Sequence, residues 1–165
     1  LNKPPPRTVG SSNPGATNVL RIAGKGAALA TFLGDAIKGM IAVLIGHYLG
    51  LSYFELTIIA FGGILGHIYA LYFGFKGGKG IATTAGVLIV WAPVVLGIAL
   101  ATWLIALGLT RTVAVASVAA ATILPLAMWV AKPSPTAIGI AIFIATMAVY
   151  QHRSNFTPQS VGEPA

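Results

Sequence analysis

Of 165 residues, 56% are hydrophobic and only 8% charged, with a mean hydropathy of +0.87; soluble domains carry about 25% charged residues, so this is the composition of a membrane protein. The absence of cysteine excludes a disulfide framework, a thiolate nucleophile, thioester intermediates and thiolate–metal sites, and three acids (Asp35, Glu55, Glu163) with three histidines leave few groups for proton transfer or metal binding. The formal charge is +7, and in a bilayer the placement of those charges says more than their sum.

The opening stretch "LNKPPPRTVGSSNPGATN" reads as a polar, proline-rich loop. It lacks the charged and apolar regions of a signal peptide, and the chain is expected to continue upstream of Leu1. Apolar runs follow at 27–49, 53–73, 80–109, 113–131 and 135–151. A span needs about 20 residues to cross a hydrocarbon core of about 30 Å, so 27–49 and 53–73 pass easily as spans and 113–131 and 135–151 are short but adequate. The run 80–109 is too long for one straight helix, and Pro93 in "VWAPVV" removes a backbone donor at its middle. It is either one kinked helix or a hairpin turning near Ala92-Pro93. As a hairpin it places Lys3, Arg7, Arg21, Lys25, Lys76, Lys79, Arg111 and Arg153 on one face, leaving Lys132 and Glu55 on the other. Basic residues flanking spans favour the cytoplasmic side, so the hairpin is the expected arrangement, with the eight cations inside. The fold expected is an all-α polytopic membrane bundle of six spans, one of them short, forming a single transmembrane domain over residues 1–165.

Four loops then share the inner face: "RTVGSSNPGATNVLR", "GFKGGKGIATT", "LTRTVAVAS" and "YQHRSNF". The first offers Ser11, Ser12, Asn13, Thr17, Asn18 and Arg21 around Gly10 and Gly15. Small residues let backbone N–H groups approach an anion closely, and helix N-termini after each loop add partial positive charge. Arg21 is a forked donor suited to phosphate, and Lys76 and Lys79 are point charges. On this reading Gly77 and Gly78 bring backbone donors to a phosphate that the lysines neutralise. The nucleotide P-loop pattern fails, because Phe73 stands five residues before Gly78 and Gly80 follows Lys79.

Other polar residues are open to more than one reading. Asp35 and Lys38, at i and i+3 within a span, form a structural pair or support the site. His67 bonds a backbone carbonyl or acts in catalysis, and His47 is incidental at the outer end. Ser117 caps its helix or faces the site. His152 and Asn155, at i and i+3 after the last span, are both placed to face it.

The segments "VGSSNPGATNVLR", "GHIYALYFGFKGGKGIAT", "RTVAVAS" and "YQHRSN" resemble, in order and spacing, the integral-membrane acyl-phosphate:glycerol-3-phosphate acyltransferases of bacteria. The resemblance covers nearly the whole chain. It implies seven spans with an outside N-terminus, the first lying upstream of Leu1, and a location in the bacterial inner membrane with the site loops cytoplasmic. It also implies transfer of a fatty acyl group from acyl phosphate to the 1-hydroxyl of glycerol 3-phosphate, giving 1-acylglycerol 3-phosphate and phosphate. Phosphate-binding roles then fall to Ser11, Asn13, Thr17, Arg21 and Lys79, and site roles to Ser117, His152 and Asn155. The chain departs from the family pattern at Ala70, at Ala114 and at Pro158-Gln159.

Both substrates so implied carry phosphate, and the donor is an already activated mixed anhydride. The chemistry then needs positioning, leaving-group stabilisation and a proton acceptor. The H-x4-D pattern of another acyltransferase type is absent, since Ser52, Tyr72 and Thr157 stand five residues after the three histidines. The expected proton acceptor is a substrate phosphate oxygen, with His152 as the alternative, while Arg21 and Lys79 stabilise developing charge. No metal or cofactor is expected, and no nucleic acid; the expected partners are the two substrates and the lipid bilayer, with the protein a monomer. A transporter of phosphate or an organic phosphate, and a non-catalytic scaffold for anionic lipid, are the rival readings. The first would be expected to spread polar groups through the spans near the midplane, the second to show lysines without ordered hydroxyl and amide partners.

Overall fold

The computed structural model describes residues 4–132 and 134–156, and among them the regular structure is helical throughout. Eight α-helices follow in order: α1 Ala16–Ala23, α2 Lys25–Tyr48, α3 Tyr53–Ile68, α4 Ile81–Trp91, α5 Pro93–Thr110, α6 Val113–Thr122, α7 Leu124–Ala131 and α8 Pro135–His152. Helices satisfy their own backbone groups, as a chain in hydrocarbon must. Among the described residues, five stretches are long and apolar enough to cross a membrane: Lys25–Tyr48, Tyr53–Phe73, Pro93–Thr110, Val113–Ala131 and Pro135–Asn155, with Ile81–Trp91 as a shorter apolar helix beside them. That is the expected set of five full spans and one short one, in a multi-pass membrane protein. Leu29, Leu33, Ile37, Leu104, Ile105 and Val130 are exposed on the outside of the bundle, where acyl chains replace water as the surrounding medium.

Local chemistry sets the helix ends. Ser52 and Glu55 form a reciprocal capping box at the start of α3. The Glu55 carboxylate accepts from the Ser52 backbone N–H at 2.7 Å, which accounts for an acid at the head of a span. Pro93 and Pro135 open α5 and α8, positions at which a missing N–H costs nothing. Ser134 caps α8 by accepting from the Ala137 N–H.

Two ends of the bundle can be told apart by contacts. At one, Tyr53 stacks on Trp91 with centroids 6.0 Å apart, and the Lys132 ammonium lies 4.8 Å from the Tyr53 ring centroid. At the other, Arg7 donates to the Lys76 carbonyl and Lys79 donates to Asn155. Helix α4 therefore runs from Lys79 at the second end to Trp91 at the first. Ala92–Val95 and Ala131-Lys132 line one small cavity there, so α5 starts where α7 finishes and returns Arg111 to the loop end. The run 80–109 is a hairpin, with arms of 11 and 18 residues. Ala92, at φ −151° and ψ 70°, makes the corner.

The core is built from α2 to α8, with Val43, Ile64, Val87, Val95 and Met128 at its centre. The tightest crossing is between α2 and α4. A Cβ on Gly86 would lie 1.9 Å from the Ala36 carbonyl oxygen, and one on Gly39 would lie 2.4 Å from that of Thr83. Small residues let two backbones touch, the usual basis of helix association in lipid.

One expectation is corrected. The stretch "RTVGSSNPGATNVLR" is not loop throughout, because residues from Ala16 onward form α1, which buries Asn18 and Val19 against the bundle. The run 113–131 is one span as expected, built of two helices that meet at Ile123. Pro125 cannot donate the bond that would carry the helix through. Lys3, Thr157, Pro158, Gln159 and Glu163 lie outside the described residues.

Candidate active site

The first wall of the site is the loop before α1, and Asn18 organises it. This side chain is 2% exposed. Its Nδ2 lies 2.9–3.0 Å from the carbonyls of Pro6, Val9 and Asn13, and its Oδ1 accepts from the Ser11 N–H at 3.0 Å. One amide thus ties down a loop that has no regular structure to satisfy its backbone. Asn13 turns inward in the same way, its Oδ1 accepting from the Gly15 N–H at 2.7 Å. Ser11 is presented at the exposed surface of this loop, and Thr17 and Arg21 at that of α1.

The second wall is "GFKGGKG", which folds back against the end of α3. The Gly77 N–H donates to the Ile68 carbonyl at 3.0 Å. A Cβ on Gly77 would lie 1.8 Å from the His67 carbonyl oxygen, so no other residue fits. The glycine at 77 thus serves close packing against α3, and its N–H is already engaged. Lys76 is exposed, and its carbonyl anchors Arg7, whose guanidinium carbon also sits 4.3 Å from the centre of the Phe73 ring. Arg7 therefore staples the first loop to the second.

Lys79 is half-buried between these walls and the end of α8, where its ammonium donates to the Asn155 side chain. Burial, and then the like charge of nearby Arg21, hold the Lys79 pKa below the ordinary lysine range. A cation crowded by a second cation and partly stripped of water is a ready partner for an anion. His152, buried one turn earlier than Asn155, donates from Nδ1 to the Ala148 carbonyl at 2.8 Å. Lys79 and His152 interact electrostatically, so the two lie in one cluster. Ser117 is buried on α6, and its hydroxyl accepts from the Trp103 indole at 3.3 Å, which ties it to α5.

The structure thus gathers Arg21, Lys79, His152 and Asn155 at one end, with the Ser11–Thr17 loop joined to the Lys79 loop through Arg7. Arg153 is occupied nearby, its guanidinium over the Tyr150 ring at 3.6 Å and donating to the Tyr150 carbonyl at 2.8 Å. His67 was open to a carbonyl bond or a catalytic role. Its Nδ1 instead meets the Asp35 carboxylate at 3.5 Å, and Asp35 also accepts from Lys38 at 2.5 Å. Sequence reasoning counted Asn18 among the polar groups of the first loop and Arg7 among the inner cations, but gave neither the organising role that the structure shows. The available signal was a span of prolines and glycines between Pro4 and Gly15 whose carbonyls had no evident partner, followed by an amide.

A polytopic helical membrane protein with a cationic cluster of side chains at one end of the bundle is, by class, suited to anionic substrates at the membrane surface. Residues 1–159 match the glycerol-3-phosphate acyltransferase family, and the chain belongs to it. The protein of that name from Methylobacillus flagellatus is 43% identical over 152 residues, covering 92% of this chain and 78% of the relative. That from Methylococcus capsulatus is 42% identical over 165 residues, covering 100% and 83%. Among solved structures, the integral membrane glycerol 3-phosphate acyltransferase PlsY (YgiH) in its glycerol 3-phosphate form superposes with a TM-score of 0.84 at 37% identity, covering 93% of this chain and 77% of that one. Its lysophosphatidic acid form gives 0.79 at 37%, covering 88% and 75%. None of these is a transporter, and that rival reading finds no support.

Proposed function

We propose that this protein is a membrane acyltransferase that moves a fatty acyl group from acyl phosphate to the 1-hydroxyl of glycerol 3-phosphate, releasing 1-acylglycerol 3-phosphate and inorganic phosphate. Residues 1–165 would form its single domain, working as a monomer in the bacterial inner membrane with the site loops on the cytoplasmic side. Besides family membership, the observation that carries this reading is the bond from Lys79 to Asn155 at one end of the bundle, with Arg21 and His152 near enough for charge to act between them and Lys79. Two phosphorylated substrates held side by side need this many fixed donors, and activated acyl transfer needs little else.

In the proposed step the glycerol oxygen attacks the acyl carbonyl carbon, the bond from that carbon to the bridging oxygen breaks, and phosphate departs carrying that oxygen. Arg21 and Lys79 hold the charge gathering on the leaving group, with Ser11, Asn13, Thr17, Lys76, Gly78 and Asn155 as further phosphate and glycerol contacts and Ser117 supporting the site. The hydroxyl proton passes to a phosphate oxygen of the substrates. A second reading is favoured by the histidine ring: because Nδ1 donates to Ala148, neutral His152 keeps its lone pair on Nε2 and can accept that proton.

The test is phosphate release from acyl phosphate by the reconstituted protein, which should require glycerol 3-phosphate. Release at the same rate without glycerol 3-phosphate, or transfer from a different acyl donor alone, refutes the assignment. A pH–rate profile of His152→Gln separates the two proton acceptors. Near-abolished activity with loss of the limb near an imidazole pKa assigns the base to His152, and a retained profile assigns it to substrate.

A further inference from the structure

Beyond the cluster just described, Asp35, Lys38 and His67 form a polar group on α2 and α3 that the proposed chemistry does not use. They line a cleft of about 410 Å³ together with Arg7, Gly77 and Gly78. Ionisable groups on a membrane span are costly and persist when paired or put to use. The pairing is on the page, since the Asp35 carboxylate meets Lys38 at 2.5 Å and His67 Nδ1 at 3.5 Å.

The His67 side chain is 7% exposed, and its Nε2 edge faces the Gly78 backbone. A Cβ on Gly78 would lie 2.3 Å from Nε2 and 2.8 Å from Cε1. The backbone of the same histidine touches the preceding residue, for a Cβ on Gly77 would meet the His67 carbonyl oxygen at 1.8 Å. One residue of α3 therefore walls both glycines that precede Lys79. Asp35, reaching from α2, stands 3.5 Å from the other ring nitrogen, Nδ1.

We propose that Asp35 and His67 are positioning residues: the carboxylate fixes the imidazole ring, and the ring fixes the Gly77-Gly78 turn so that Lys79 meets Asn155 and the substrate phosphate. The inference rests on the reading that Lys79 grips phosphate. With the ring removed, the turn relaxes toward the cleft and the ammonium leaves its place, and a misplacement of about 1 Å costs about a hundredfold in rate. Glutamine, whose amide reaches the place of Nε2, should restore part of what alanine loses. Asparagine, which ends at the place of Nδ1, should not.

The experiment compares His67→Ala, His67→Gln, His67→Asn, Asp35→Asn, Lys79→Met and the double variant His67→Ala/Lys79→Met. It measures kcat and KM for both substrates, inorganic phosphate binding by calorimetry, and thermal unfolding in detergent. His67→Ala and Asp35→Asn are expected to lower kcat/KM by ~30-fold or more and to weaken phosphate binding at parental Tm. The double variant should bind phosphate no more weakly than Lys79→Met alone. Multiplying losses in the double variant, activity lost only in step with Tm, or parental kinetics in Asp35→Asn and His67→Ala while Lys79→Met is impaired, would each overturn the positioning role and leave the site reading standing. Should His67→Ala not fold, Asp35→Asn and His67→Gln decide by the same measures. Parental activity in Lys79→Met would overturn the site reading, and this inference with it.

Discussion

Replacing Asn18 with alanine is the sharpest single perturbation of the site that leaves every span untouched. Its amide satisfies Pro6, Val9 and Asn13 carbonyls and the Ser11 N–H. Nδ2 carries only two protons for its three acceptors, so the bonds count as two donated and one accepted. At about 1 kcal/mol net for each, the closed loop loses about 3 kcal/mol relative to an open one that water solvates. A difference of that size is about a hundredfold in population, so kcat/KM is expected to fall by up to that factor. Gly10 adds a constraint, because a Cβ there would lie 2.3 Å from Asn18 Oδ1. The assay is glycerol-3-phosphate-dependent phosphate release in proteoliposomes, with limited proteolysis between residues 4 and 15 as the structural readout. Asn18→Asp keeps the acceptor for Ser11 but loses both donors, and should open the loop as well. Parental kcat/KM in Asn18→Ala, or lost activity with the loop still protected, would refute the reasoning.

Further outcomes follow from the structure. Gly86→Val should lower the thermal midpoint in detergent and disrupt the α2–α4 crossing, since even its Cβ would stand 1.9 Å from the Ala36 oxygen; overpacking of this kind typically costs about 1–3 kcal/mol. Lys79 should give kcat/KM an alkaline limb at a pH below that of an ordinary lysine, because burial and Arg21 depress its pKa and the charged form is the one that holds phosphate. Lys79→Arg, charged throughout that range, should remove the limb. Stability moves the other way: the unfolded chain binds the proton more tightly than the folded one, so stability rises with pH between the two pKa values. Unfolding midpoints taken across that window check the sign.

Much of this protein was legible before its shape was known. Composition alone declares a membrane bundle, because so few charges in so apolar a chain leave no soluble surface to build. The corner at Ala92-Pro93 followed from length and charge placement, since proline removes a donor and cations gather at one end. Likewise, the motifs around Arg21, Lys79 and His152 carry their chemistry in their residue types. Other features depended on distance, which no local pattern encodes. Asn18 sits in a helix that no sequence signal announced, and its partners lie 5 to 12 residues away along an irregular path. The glycines of "GFKGGKG" invited a reading as anion donors, whereas Gly77 is required by the carbonyl end of α3 pressing on its Cα. Asp35 and His67 stand 32 positions apart on different spans, and only the packing of α2 against α3 brings carboxylate and imidazole together. The amino-acid order by itself decides which groups exist and which segments must leave water, because transfer free energy is local and additive. Which of those groups meet is decided by the folded bundle, because contact between remote segments depends on how every intervening helix packs.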